Sequence, residues 1–167
     1  MKKQPTRWVL LATTLTLPVL LVVCAHRTLR ENQGLRQGDE LPKARLRTAE
    51  GFPVDTDSWR GTMTLLVLFN PACKACEAEI LTLKTIAPQF PDLKIVLLSL
   101  DPAVAQADIP FPVLIDPSRA LVKKARRLAV PALYWIGHDG KVQYARTGQR
   151  PPAEEALLFR KLQAKGD

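Results

Sequence analysis

Two cysteines separated by two residues, Cys73 and Cys76, are the side chains of this 167-residue chain whose types and spacing could do chemistry. In disulfide exchange the attacking species is a thiolate, and a second thiol within reach resolves the mixed disulfide that forms. A Cys-x-x-Cys pair at the start of a helix supplies both groups. The free amides and dipole of the helix N-terminus stabilise a thiolate on the first cysteine. Lys74 adds a nearby positive charge, while Glu77 and Glu79 oppose it. The expectation is a moderate gain in acidity at Cys73, which attacks, with Cys76 resolving and Lys74 modulating. Three other readings stand beside this one: half of a zinc site, a structural disulfide, or two buried thiols. Zinc takes four ligands, and the remaining soft or imidazole donors are Cys24, His26 and His138, so no metal site is expected.

The stretch from Thr64 to Ile80 must position the pair. Leu65-Leu66-Val67-Leu68-Phe69 has the length and composition of a strand buried on both faces. Asn70-Pro71 stops it, because proline has no amide hydrogen for a sheet ladder. A helical pattern then runs from the cysteines to Pro88, with Cys76, Ile80, Leu83 and Ala87 on one face. Cys76 is therefore expected to look inward and Cys73 to meet solvent. A second apolar strand, Leu93 to Leu100, follows. Strand, helix and strand make a βαβ unit, which implies a parallel pair joined by a right-handed crossover.

Around that unit, Ala44–Thr48 and Phe52–Thr56 read as a hairpin about Glu50-Gly51. Phe111–Ile115 reads as a short edge strand, and Ser118–Leu128 as a helix capped by Ser118 or Asp116. That helix has Leu121, Val122, Ala125 and Leu128 on one side, and Arg119, Lys123, Lys124, Arg126 and Arg127 on the other. Ala132–Ile136 and Val142–Arg146 flank a turn containing Asp139-Gly140. A last helix covers Ala153–Ala164.

The amino terminus bears on compartment. Lys2, Lys3 and Arg7 precede an uncharged run of 18 residues, Trp8 to Ala25. As a helix it would span about 27 Å, close to a hydrocarbon core of about 30 Å. The excess of basic residues on the leader side puts the amino terminus in the cytoplasm and the rest outside. Residues 1–25 thus read as a signal-anchor or transmembrane segment, with a cleaved signal or a lipoprotein as alternatives, residues 26–37 as a tether, and residues 38–167 as one domain. Export takes the dithiol to a compartment where disulfides persist. Beyond the leader 21 basic residues face 16 acidic ones, a net charge of +5. That surface is too ordinary to imply nucleic acid, and no phosphate loop or zinc-finger spacing supports such a partner.

With these elements in order, the chain resembles the thioredoxin fold. More narrowly, it resembles the membrane-anchored, exported thiol:disulfide oxidoreductases of the TlpA/ResA type in the redoxin group. The likeness covers about Gly38 to Leu162. It is carried by Gly38-Asp39-Glu40-Leu41-Pro42, Trp59-Arg60-Gly61, Cys73-Lys74-Ala75-Cys76 and Val130-Pro131-Ala132-Leu133-Tyr134-Trp135-Ile136 leading to Asp139-Gly140. It implies an α/β domain with a central mixed β-sheet flanked by helices and an N-terminal β-hairpin extension. It also implies a cis peptide at Pro131 beside the dithiol, where Val130 offers its backbone to an extended client. No cofactor is implied. The partners would be protein dithiol or disulfide clients and a membrane electron donor, and the direction reduction, for instance of apocytochrome c before haem attachment. Two rivals share the fold: a redoxin-type peroxidase, and a copper-binding or assembly module using two cysteines and a histidine. The chain departs from the pattern at Ala72, where tryptophan is common, and at Val67, where thioredoxins bury an aspartate. No carboxylate is therefore expected beneath the dithiol.

Overall fold

The computed structural model describes residues 34–103, 109–125 and 129–166. The expected anchor and most of the tether lie outside the described residues, as do Arg126, Arg127 and Leu128. Among the described residues no helix is long and apolar enough to cross a membrane.

The chain forms β1 (Arg45–Thr48), β2 (Pro53–Asp55), β3 (Thr64–Phe69), α1 (Lys74–Ile86), β4 (Lys94–Ser99), β5 (Val113–Ile115), α2 (Ala120–Ala125), β6 (Ala132–Ile136), β7 (Val142–Thr147) and α3 (Pro152–Gly166). A 3-10 turn over Thr56–Trp59 leads into β3, and another over Ala87–Gln89 ends the cysteine helix at Pro88. The seven strands form one mixed sheet in the order β2-β1-β5-β4-β3-β6-β7. This is the thioredoxin-like architecture, with helices on the sheet's faces and the hairpin added at one side.

β3 is the centre, and all six of its residues are buried. It runs parallel to β4, from Thr64 opposite Lys94 to Phe69 opposite Ser99, and antiparallel to β6. α1 is the crossover between the parallel strands. Because successive strand side chains point to opposite faces, β3 feeds two cores. Leu65, Val67 and Phe69 pack with Cys76, Leu83, Ile86, Trp135 and Phe159 under α1 and α3. Leu66 and Leu68 pack with Trp59, Leu98, Leu121 and Tyr134 on the other side. In the first core Phe159 meets Trp135 edge-on at 4.9 Å and Phe90 at 5.4 Å between ring centroids, a favoured aromatic geometry.

Two expectations are corrected. β5 is not an edge strand: β4 pairs with it in parallel on one side, and β1 antiparallel on the other, with Arg47 opposite Ile115. The hairpin adds outside β5, so the edge on that side falls to β2, where Pro53 costs no ladder bond. Leu35, in the stretch expected to be tether, is 1% exposed and belongs to the second core.

α2 is started by buried Asp116, whose Oδ2 accepts the Val122 amide at 3.0 Å and whose Oδ1 accepts the Ser118 hydroxyl at 2.6 Å. Ser118 Oγ in turn accepts the Ala120 amide at 3.2 Å. At the β6–β7 end of the sheet, Gly38 and Leu41 donate their amides to Val142 and Gly140. Arg60 binds Glu40 and donates to the Asp139 carbonyl there. Gly140 adopts φ +78°, and an added Cβ would meet the Arg60 guanidinium at 3.0 Å, so only glycine suits that turn.

Candidate active site

Cys73 is the N-cap of α1, with extended backbone angles. Its carbonyl accepts the amides of Cys76 and Glu77. The preceding turn is held by Asn70, whose carbonyl accepts the Cys73 amide at 3.0 Å and whose side chain accepts the Ala72 amide at 2.9 Å. The helix thereby presents Cys73 half-buried at its mouth and Cys76 inside, 1% exposed. Both thiols are free.

Their electrostatics differ in sign. A hydrogen bond from the Cys76 thiol, assisted by the amides of Cys76 and Ala75, holds Cys73 below the ordinary thiol value. Burial first, then the charges of Cys73 and Glu79, push Cys76 up to about 12. Lys74 is exposed in the first turn; the lowering of Cys73 comes from the thiol and amides of its own turn.

The Val130–Pro131 peptide is cis, and the structure brings it to the dithiol: Cys73 Sγ lies 3.9 Å from the Val130 carbonyl oxygen. The Pro131 carbonyl accepts the Gly148 amide at 2.8 Å. Beside Asn70-Pro71 opens a cleft of about 230 Å³, lined in part by Phe69, Ile80, Leu81 and Ile109, with Leu81 58% exposed.

The expectation of no carboxylate beneath the dithiol is overturned by Glu79. It sits three residues beyond Cys76, on the same side of α1, and is fully buried. Arg146 of β7, itself 5% exposed on its side chain, places Nη2 2.7 Å from Glu79 Oε1 and 2.6 Å from Oε1 of fully buried Glu155 on α3. The contact to Glu155 is an ion pair without a hydrogen bond, and Glu155 Oε2 has no hydrogen-bond partner among the described residues. Glu79 Oε2 accepts the Arg150 amide at 3.2 Å. Burial first, and then the charge of Glu155, hold Glu79 above the usual carboxylate range against the pull of Arg146. The signal for Glu79 was a glutamate inside an otherwise apolar helical stripe. Arg146 and Glu155 carried none until the sheet brought them together.

His138, the imidazole that a copper module would need, lies in the β6–β7 turn, with Nδ1 2.8 Å from the Gly61 carbonyl. That is the opposite end of β6 from Pro131, about 16 Å away at a strand's rise per residue. Among the described residues no group of three or more His, Cys, Asp or Glu side chains could hold a metal.

Comparison with known proteins gives the family and the fold. Residues 37–145 match the model of the AhpC/TSA family. The chain is 25% identical over 160 residues to the thiol-disulfide oxidoreductase ResA of Bacillus thuringiensis subsp. konkukian, covering 86% of this chain and 92% of that protein. It is 26% identical over 134 residues to ResA of Bacillus cereus strain ATCC 10987, covering 75% and 78%. Among solved structures, a Chlorobium tepidum protein assigned as the thiol:disulfide interchange protein DsbE superposes with a TM-score of 0.66 at 24% identity, over 78% of this chain and 99% of that one. StoA from Bacillus subtilis gives 0.57 at 17%, over 71% and 97%. The chain belongs to the AhpC/TSA family, as a thioredoxin-fold member of the kind that the ResA thiol-disulfide oxidoreductases represent.

Proposed function

We propose that this protein exchanges disulfides with protein clients outside the cytoplasmic membrane, acting as a reductant through Cys73 and Cys76. The observation that carries the reading is the division of labour between the thiols. One is acidified and reachable beside the Val130 carbonyl; the other is buried and held protonated. The Cys73 thiolate attacks a client disulfide, forming a mixed disulfide and releasing one client thiolate. Cys76 then passes its proton to the Glu79 carboxylate and attacks the Cys73 sulfur. The Cys73–client bond breaks, the second client thiolate leaves, and the protein keeps the disulfide. Two electrons from a membrane donor restore the dithiol.

An extended client segment would lie along Val130 and Pro131 and pair with the Val130 backbone as a short added strand. The apolar cleft beside Pro71 offers room for a neighbouring client side chain. The reductive direction is supported by how little holds the Cys73 thiolate: one thiol and two amides. Strong oxidants of this fold instead have a strongly stabilised reduced form. Apocytochrome c thiols before haem attachment are the client class proposed from the family resemblance. Export rests on the basic leader and the uncharged Trp8–Ala25 run, which also gives the anchor.

The deciding measurement is the reduction potential of the Cys73–Cys76 pair, by equilibration with glutathione or dithiothreitol buffers. A value near or below about −200 mV supports a reductant, and one near −120 mV would make the protein an oxidant. A reporter fused after Gly38 should be active only outside the cytoplasm. A cytoplasmic signal would remove export and anchor together.

A further inference from the structure

Arg146 is held at both ends. Its Nη2 lies between two carboxylates with no exposed surface, Glu79 from α1 and Glu155 from α3. Its Nη1 donates to the Gly148 carbonyl, and the Gly148 amide donates to the carbonyl of Pro131 in the client groove. Glu79 is tied to the same loop through the Arg150 amide, while the Thr82 hydroxyl, one turn further along α1, donates to the Arg150 carbonyl at 3.4 Å. With both carboxylates ionised, this buried cluster carries one negative charge more than it neutralises, and among the described residues the Glu155 carboxylate has no hydrogen bond to offset it. Burial of such an excess favours uptake of a proton. The charged or titratable groups that reach Glu79 are Arg146 from β7, Glu155 from α3 and Cys76 from its own helix.

We propose that Arg146 and Glu155 are positioning residues for the exchange, setting together when the Glu79 carboxylate is free to take the proton that Cys76 gives up. The inference rests on the dithiol reading above. Arg146 draws Glu79 toward ionisation, whereas Glu155 resists it from the far side of the same guanidinium. Removing one or the other should therefore move the resolving step in opposite directions along the pH axis. A role confined to holding the fold together would not produce opposed shifts.

The test uses the whole chain with Cys24→Ser, so that Cys73 and Cys76 are its only thiols. The reduced protein is mixed with excess dithiobis(nitrobenzoate). Attack by Cys73 breaks the probe's S–S bond, forms a Cys73–aryl disulfide and releases one coloured thiolate. Attack by Cys76 forms the Cys73–Cys76 disulfide and releases the second, at a rate independent of probe concentration. The dithiol loses two electrons and the probe gains them. The acid limb of the second release is followed against pH. Glu155→Gln should move it down by about one pH unit, a roughly tenfold faster resolution below the limb. Arg146→Lys keeps the charge but loses the two-ended fork, and should move it up. The first release should stay within about twofold in both, apart from any general effect on folding read by circular dichroism.

If neither variant moves the limb, or both move it the same way, the positioning role is overturned and the dithiol reading stands. If the unsubstituted dithiol gives no second release, the dithiol reading itself fails and this inference falls with it.

Discussion

The unequal thiols predict a selectivity that can be computed and then measured. With Cys76 pushed up to about 12, about one molecule in 10⁵ carries its thiolate at pH 7. An ordinary thiol, at about 8.5, is about 3% ionised at that pH, about 3,000 times the fraction of Cys76, and Cys73 is held below its ordinary value. The ordinary thiol therefore serves as the conservative reference for Cys73. Intrinsic nucleophilicity partly offsets that ratio: with a Brønsted coefficient of about 0.4–0.5 over about 3.5 units, the more basic thiolate is about 40-fold more reactive. Cys73 should be carbamidomethylated by iodoacetamide roughly 100-fold faster than Cys76, before the burial of Cys76 adds its own factor. Raising the pH erodes the advantage, because Cys76 is a neutral acid that ionises only toward its raised value. Its rate should climb about tenfold per unit while that of Cys73 levels off. By pH 10 the part of the selectivity due to ionisation should have shrunk to a few-fold. The assay is timed quenching of the reduced whole chain and peptide mass analysis, with Cys24 scored separately. Equal labelling at pH 7, or Cys76 first, would refute the assignment of roles. Selectivity unchanged between pH 7 and pH 10 would show that burial alone separates the thiols.

Other outcomes follow from the same geometry. Cys76→Ser should accumulate client mixed disulfides through Cys73 on non-reducing gels, and Cys73→Ser should trap none. Arg146→Met leaves two buried carboxylates without their cation and should cost about 3–5 kcal/mol in urea denaturation, whereas Glu79→Gln, which removes the excess negative charge, should cost clearly less. Asp116→Ala strips the starting bonds from α2 and should cost about 1–2 kcal/mol by the same measurement.

What could be read from the chain beforehand was local. The apolar run before Asn70-Pro71, the four-three-four spacing after Cys76 and the next apolar run each encode one element by period and length, and their succession encodes the parallel pair. The inward Cys76 was legible because it lies in the stripe with Ile80 and Leu83. Strand order was less so. The three aliphatic residues of β5 carry no mark of whether a neighbour lies on one side or both, and only pairing with Arg47 and Thr48 decides it. Glu79 shows the limit most plainly. Its place in an apolar stripe marks it as unusual, but the reason it is buried stands 67 residues later in Arg146. Leu35 was hidden for the same reason, since nothing in its polar surroundings indicates the core it fills. Leu157 of the last helix goes the other way, since its aliphatic side chain is 53% exposed.

The place of β6 beside β3 has a consequence for the order in which the protein becomes itself. During synthesis the dithiol helix leaves the ribosome well before the strand that pairs with the central one, since Cys73 and Val130 are 57 residues apart. Until that closure the two thiols of α1 have no client groove, and the nascent chain has no buried guanidinium and one open edge on its middle strand, an edge that invites wrong pairing. Contacts of such long range are the slow ones to form, because the entropy of closing the loop is lost before any pairing repays it. A chain cut short before β6 would therefore be a reactive thiol peptide with an unprotected strand. Selectivity arrives only with the last hairpin and helix.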